Sequence, residues 1–109
     1  MSPASYVEEA PSRAEVDALP GATLIEFGAN WCGICAAAQP VIAQALAEHP
    51  ALRHLKVEDG RGRPLGRSFG VKLWPTLVML RDGREVARVV RPAGVAEIAE
   101  ALALLSGEL

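Results

Sequence analysis

Cys32 and Cys35 are the only two cysteines in the chain, and two residues separate them. A pair this close cannot tie distant elements together. That excludes a disulfide framework and leaves a redox or a metal role. The pair stands where a loop, residues 28–31, gives way to a predicted helix. A helix start leaves backbone N–H groups unpaired and carries partial positive charge. A thiol placed there has its thiolate form favoured and its pKa lowered. The thiolate is the attacking species in disulfide exchange. Cys32 therefore reads as the nucleophile. Cys35, a turn further in and shielded, reads as the resolving thiol.

Two other uses of the pair fit less well. Buried cysteines can serve as small core hydrophobes, but Trp31 and Gly33 put this pair at a loop–helix junction. Zinc needs about four ligands. The other soft donors are His49 and His54, whose spacing to the cysteines matches no finger-like pattern. Both read as solvated residues, one near a helix end and one in a strand. No metal is expected.

The elements that must position the pair fit in one domain, residues 1–109. Half of the residues are hydrophobic and 22% are charged, which is globular composition. Aromatics are only 5%, so the core must be aliphatic. A net charge of -2 argues against a nucleic-acid binder. Of the eleven Lys and Arg, all but Arg13 lie between Arg53 and Arg91, and they read as solvated strand and turn faces. Apolar runs are too short to cross a bilayer. The first residues show neither a basic n-region nor an apolar h-region. The expectation is a cytoplasmic protein, away from membranes and monomeric.

Along the chain, Tyr6 and Val7 suggest a short edge strand. Ser12-Arg-Ala-Glu15 has the capping-box form and opens a short helix that ends before Pro20-Gly21. Residues 23–27 form a compact apolar strand interrupted by Glu26. Residues 33–49 are Ala-rich and helical, with Pro40 inside and Pro50 at the end. Residues 52–58 alternate as a strand, and 61–68 form a weaker helix with Gly66 inside and Gly70 as a stop. Residues 76–80 and 85–90 flank Arg81-Asp82-Gly83-Arg84, a hairpin signal. Residues 95–105 have helical spacing. This order predicts an α/β layer fold, a mixed sheet with helices on both faces.

Trp31-Cys32-Gly33-Ile34-Cys35 resembles the Trp-Cys-Gly-Pro-Cys signature of the thioredoxin family. Leu24-Ile-Glu-Phe27 resembles the strand ahead of that signature, Trp74-Pro75-Thr76 the cis-proline segment, and Asp82-Gly83 the hairpin. The resemblance covers most of the chain and points to a small, bacterial-type member. It implies a thioredoxin-like fold with a mixed sheet of about five strands flanked by about four helices. It also implies a protein disulfide reductase that works through a Cys32–Cys35 dithiol/disulfide couple. No bound cofactor or metal is implied. The partners would be disulfide-containing client proteins and a recycling flavoprotein like thioredoxin reductase, which uses NADPH.

The resemblance also assigns roles. Pro75 matches the proline preceded by a cis bond, and the backbone of Trp74 would pair with bound substrate. Trp31, Gly33, Ile34 and Arg91 would line the same substrate surface. Alternation alone allows Glu26 to face solvent, whereas the family usually has a buried Asp at this point. Glu26 would then take the proton of Cys35. Burial is expected to raise its pKa, which suits a proton acceptor near neutral pH. Lys56 resembles the family lysine that neighbours this acid and would modulate its pKa.

Three departures stand out. Ile34 replaces the family's proline, which leaves the redox poise open. Gly28 stands where many members have a second Trp, which is expected to open the site. Arg91-Pro92 intrudes on a surface that is commonly small. The alternatives are a thioredoxin-fold adaptor or chaperone-like module whose cysteines are incidental, and an oxidase or isomerase. Ile34 favours the latter, and the lack of a signal opposes it.

Overall fold

Local chemistry starts each element. In the computed structural model, which describes residues 5–106, helix α1 (Arg13–Asp17) is capped by Ser12. The Ser12 hydroxyl accepts from the Glu15 N–H at 3.1 Å, and the Glu15 carboxylate accepts from the Ser12 N–H at 2.8 Å. That reciprocal pair satisfies two donors that the helix itself leaves open. Then follow β1 (Ala22–Gly28), α2 (Gly33–Leu46), β2 (Arg53–Glu58), α3 (Pro64–Ser68), β3 (Thr76–Arg81), β4 (Arg84–Val90) and α4 (Val95–Ser106). Asp82 and Gly83, with φ of 51° and 80°, close the β3–β4 hairpin. Two successive positive φ values match the right-handed twist of the strands.

The sheet order is β2-β1-β3-β4. β1 and β2 are parallel and the other pairs antiparallel. α2 supplies the long crossover that a parallel pair requires. The thioredoxin-like fold is as expected, with four strands among the described residues rather than about five. Val7 makes a single parallel bridge to Val57. Its N–H donates to the Lys56 carbonyl at 3.0 Å, and its own carbonyl accepts from Glu58 N–H at 2.9 Å. Among the described residues those two bonds form an isolated bridge rather than a strand.

Two helices are shorter than their sequence patterns. α2 ends at Leu46 rather than at residue 49. Pro50 disfavours helical dihedrals at His49, and residues 47–52 form turns and bends instead. α3 begins at Pro64 rather than at residue 61. Gly60 and Gly62, with φ of 130° and 78°, hold the chain in a turn up to that proline.

β1 is central and covered on both faces, so Thr23 to Gly28 are all buried. Ile25 and Phe27 pack with Val16, Leu65, Phe69 and Val78 on one face. Leu24 packs with Ile42, Leu46, Ile98 and Leu102 from α2 and α4 on the other. Side chains alternate along a strand, so Glu26 shares the face of Leu24 and lies under α2.

Candidate active site

β1 delivers the chain to a short loop, and Cys32 is the N-cap of α2. Its Sγ accepts from the Cys35 N–H at 3.2 Å, one of the donors left open at a helix start. Cys32 is half-buried and Cys35 is 1% exposed. Burial, with Cys32 adding to it, pushes the Cys35 thiol up to about 11. Both are free thiols.

An apolar rim surrounds the pair. Trp31 is 76% exposed, and Ile34 and Leu73 are also exposed. The Trp31 and Trp74 rings meet edge to face, with centroids 5.6 Å apart. Trp74 Nε1 donates to Asp59 at 2.8 Å. The Trp74–Pro75 peptide bond is cis. Arg91 lies across this segment. Its Nε donates to the Trp74 carbonyl and its backbone N–H to the Pro75 carbonyl, each at 2.9 Å. Gly33 is open, with no atom within 4 Å of an added Cβ.

Beneath the cysteines, Glu26 is fully buried in a polar cluster. Tyr6 donates its hydroxyl proton to Glu26 Oε2. Gln39 Nε2 reaches the same oxygen at 2.8 Å, and His54 Nε2 lies 3.0 Å from Oε1. Lys56 is 3% exposed, with Nζ 2.9 Å from Gln39 Oε1 and 4.6 Å from the Tyr6 ring centre. Burial is the largest single influence on the Glu26 carboxyl and raises its pKa. The hydrogen bonds from His54, Tyr6 and Gln39 and the charge of Lys56 together outweigh it. The net direction is down, opposite to the sequence expectation. That expectation counted desolvation alone, whereas four neighbours favour the anion.

This direction has a consequence for stability. A carboxyl held low in the folded state contributes stability that is complete above its ordinary value of 4.5. The contribution is lost as pH falls through the folded value. The denaturation midpoint is expected to drop below about pH 4.5, and Glu26→Gln to flatten that limb. Urea titrations at several acid pH values check it; parallel limbs in both proteins would refute it.

Two further expectations change. His54 is not a solvated strand residue. It is 8% exposed and bonded to Glu26, because it alternates with Leu55 in β2, a strand paired along its length with β1. Its Nδ1 is buried without a partner among the described residues. Gly28 does not open the site. A Cβ there would lie 2.6 Å from Tyr6 Cζ and 2.8 Å from Cys35 Sγ, so the tyrosine ring fills that space.

Four residues of this region escaped the sequence reading: Tyr6, Gln39, His54 and Asp59. Gln39 had a signal, since it stands four residues after Cys35 and so on the same helix face. Tyr6 had none beyond being the single tyrosine. Its contact with Glu26 spans 20 positions and appears only once the segment ahead of α1 is laid beside β2.

The thioredoxin family model matches residues 5–103, and the chain belongs to the thioredoxin family. A thioredoxin from Chlamydia muridarum is 42% identical over 71 residues, spanning 64% of this chain and 69% of that one. The reduced form of thioredoxin 2 from Pseudomonas aeruginosa superposes with a TM-score of 0.87 at 60% identity, covering 96% and 97% of the two chains. A mutant thioredoxin from Halobacterium salinarum gives 0.72 at 28% identity over 93% and 88%. Family membership makes this protein a thiol-disulfide oxidoreductase. No helix among the described residues is long and apolar enough to cross a membrane.

Proposed function

We propose that the chain is a protein disulfide reductase that uses Cys32-Gly33-Ile34-Cys35 as its dithiol/disulfide couple. The observation that carries this is the placement of the two thiols. Cys32 caps α2 at an apolar rim, while Cys35 lies one turn deeper, 1% exposed. An outer thiol at a helix start suits attack on a client disulfide. Cys32 Sγ attacks one client sulfur, the client S–S bond breaks, and its other sulfur leaves as a thiolate. Cys35 then loses its proton and attacks Cys32 Sγ, which releases the second client sulfur and forms the Cys32–Cys35 disulfide. Glu26, which its neighbours including Lys56 keep anionic, accepts the Cys35 proton only transiently, while Cys35 Sγ bonds to Cys32, and passes it on to solvent. A flavoprotein reductase using NADPH restores the dithiol. The protein works as a monomeric single domain of residues 1–109 in the cytoplasm, without bound metal or organic cofactor. The test is reduction of insulin disulfides with NADPH and a thioredoxin reductase. Steady NADPH oxidation that requires this chain supports the reading; a rate equal to the blank defeats it.

The client's backbone would pair with Trp74, beside Trp31, Gly33, Ile34 and Pro75. The Trp74 carbonyl is the one that Arg91 Nε occupies. An incoming N–H competes with that guanidinium for the carbonyl oxygen. Arg91→Ala is expected to lower KM for a protein disulfide by about threefold, in line with one net hydrogen bond. Reduction of a small aromatic disulfide, which needs no backbone pairing, should be unchanged. Steady-state kinetics on both substrates check this, and a raised KM would mean that Arg91 itself holds the client.

A further inference from the structure

Glu26 and Cys35 lie on different elements, β1 and α2, and one side chain touches both. The backbone of Tyr6 is pinned by Asn30, whose Oδ1 accepts from Tyr6 N–H at 2.9 Å and whose Nδ2 donates to the Tyr6 carbonyl at 3.1 Å. The ring is 5% exposed and fills the space beside Gly28. The hydroxyl donates to Glu26 Oε2, and Tyr6 Cζ and Cys35 Sγ lie 2.6 Å and 2.8 Å from the position of an added Cβ on Gly28, so the phenol stands beside the thiol. A phenol has one proton to give. It goes to the carboxylate, so the thiol can meet the phenol oxygen only as a donor. A proton path would then run from sulfur to phenol oxygen to carboxylate.

We propose that Tyr6 is a catalytic residue that passes the proton of Cys35 to Glu26 while the mixed disulfide is resolved. The proposal rests on the reading above of Cys35 as resolving thiol and Glu26 as acceptor. As Cys35 Sγ bonds to Cys32 Sγ, its proton moves to the Tyr6 oxygen, and the proton that Tyr6 held moves to Glu26 Oε2. The bond between Cys32 and the client breaks, and its electron pair leaves with the client sulfur. The protein dithiol is oxidised, the client is reduced, and Glu26 later returns its proton to solvent. Burial, with the Glu26 charge adding to it, pushes the phenol far above its ordinary range. A free tyrosinate is therefore not formed, and Tyr6 works only by accepting and donating together. Gln39 Nε2, 3.3 Å from the hydroxyl, helps fix that geometry.

The experiment is stopped-flow kinetics of the full chain with a disulfide peptide, resolving formation of the mixed disulfide from its decay. Tyr6→Phe keeps the ring and removes the relay. Decay should slow about 10²-fold, the lower range for positioned proton transfer, and formation should stay near the parent rate. Glu26→Gln should slow the same step, and the double variant should be no slower than the slower single one. Slow decay in Glu26→Gln with parental decay in Tyr6→Phe overturns the role of Tyr6 and keeps that of Glu26. Parental decay in both overturns both. Because the chain holds one tyrosine, 3,5-difluorotyrosine supplied during growth changes this hydroxyl alone and keeps the ring even where Tyr6→Phe folds poorly. It should alter decay in the parent and not in Glu26→Gln; an equal change in both backgrounds, or none in either, refutes the relay.

Discussion

Cys32→Ser is expected to abolish disulfide reduction, by about 10³-fold or more, because nothing else at the rim can supply the attacking sulfur. Cys35 is 1% exposed, and its thiol is pushed up to about 11 by burial. At neutral pH it is a thiol buried in the first turn of α2, unable to replace its neighbour. Cys35→Ser should behave differently. Attack by Cys32 would proceed, but the adduct would persist, so the chain should run with its client as one band on a non-reducing gel. Turnover falls in both variants, and only the second captures client. The same pair separates a reductase from an adaptor. An adaptor built on the apolar rim of Trp31, Ile34, Leu73 and Trp74 would hold its partner in Cys32→Ser as in the parent. Full activity of Cys32→Ser in the insulin assay would remove the cysteines from the mechanism.

The outer frame of this site was legible in the sequence because its signals are local. Ser12 and Glu15 cap a helix within four residues, and Asp82-Gly83 closes a hairpin within the turn itself. The cysteines and their helix start lie in one stretch of chain. The polar floor was legible only at Glu26 and Lys56, because it is assembled from four separate segments. Tyr6, Glu26 of β1, Gln39 of α2, and His54 with Lys56 of β2 meet only through sheet register and the crossover of α2. The sign of the Glu26 shift shows the difference. From its strand alone the residue is an isolated carboxyl among Leu24, Ile25 and Phe27, and desolvation dominates. With its partners in place, their hydrogen bonds and one buried lysine reverse the direction. The same holds at Gly28. A missing side chain reads as a gap until the residue that fills it is found 22 positions upstream.

That filled gap makes Gly28→Ala the more damaging of two small changes. At Gly28 the new methyl would lie 2.6 Å from Tyr6 Cζ and 2.8 Å from Cys35 Sγ. Neither neighbour can retreat cheaply. Tyr6 is tied through its backbone to Asn30, through Val7 to β2 and through its hydroxyl to Glu26. Cys35 belongs to the first turn of α2. Overpacking a tight site of this kind costs about 1–3 kcal/mol. At Gly33 an added Cβ meets nothing within 4 Å. An alanine in that helical position should be neutral or gain about 0.5–1 kcal/mol through lower backbone entropy in the unfolded chain. Denaturant unfolding of the parent and the two variants measures both. The clash also has a chemical consequence. Relief requires the tyrosine ring to swing away from Gly28, which separates its hydroxyl from Cys35 or from Glu26. Gly28→Ala should therefore slow decay of the mixed disulfide while Cys32 attacks at the parent rate, the outcome also expected of Tyr6→Phe. Combining it with Tyr6→Ala removes the clash, so the double variant should cost less than the sum of the two single ones, without restoring the decay rate. Stability of Gly28→Ala equal to the parent would place the ring elsewhere and dissolve the link between this glycine and the resolving step.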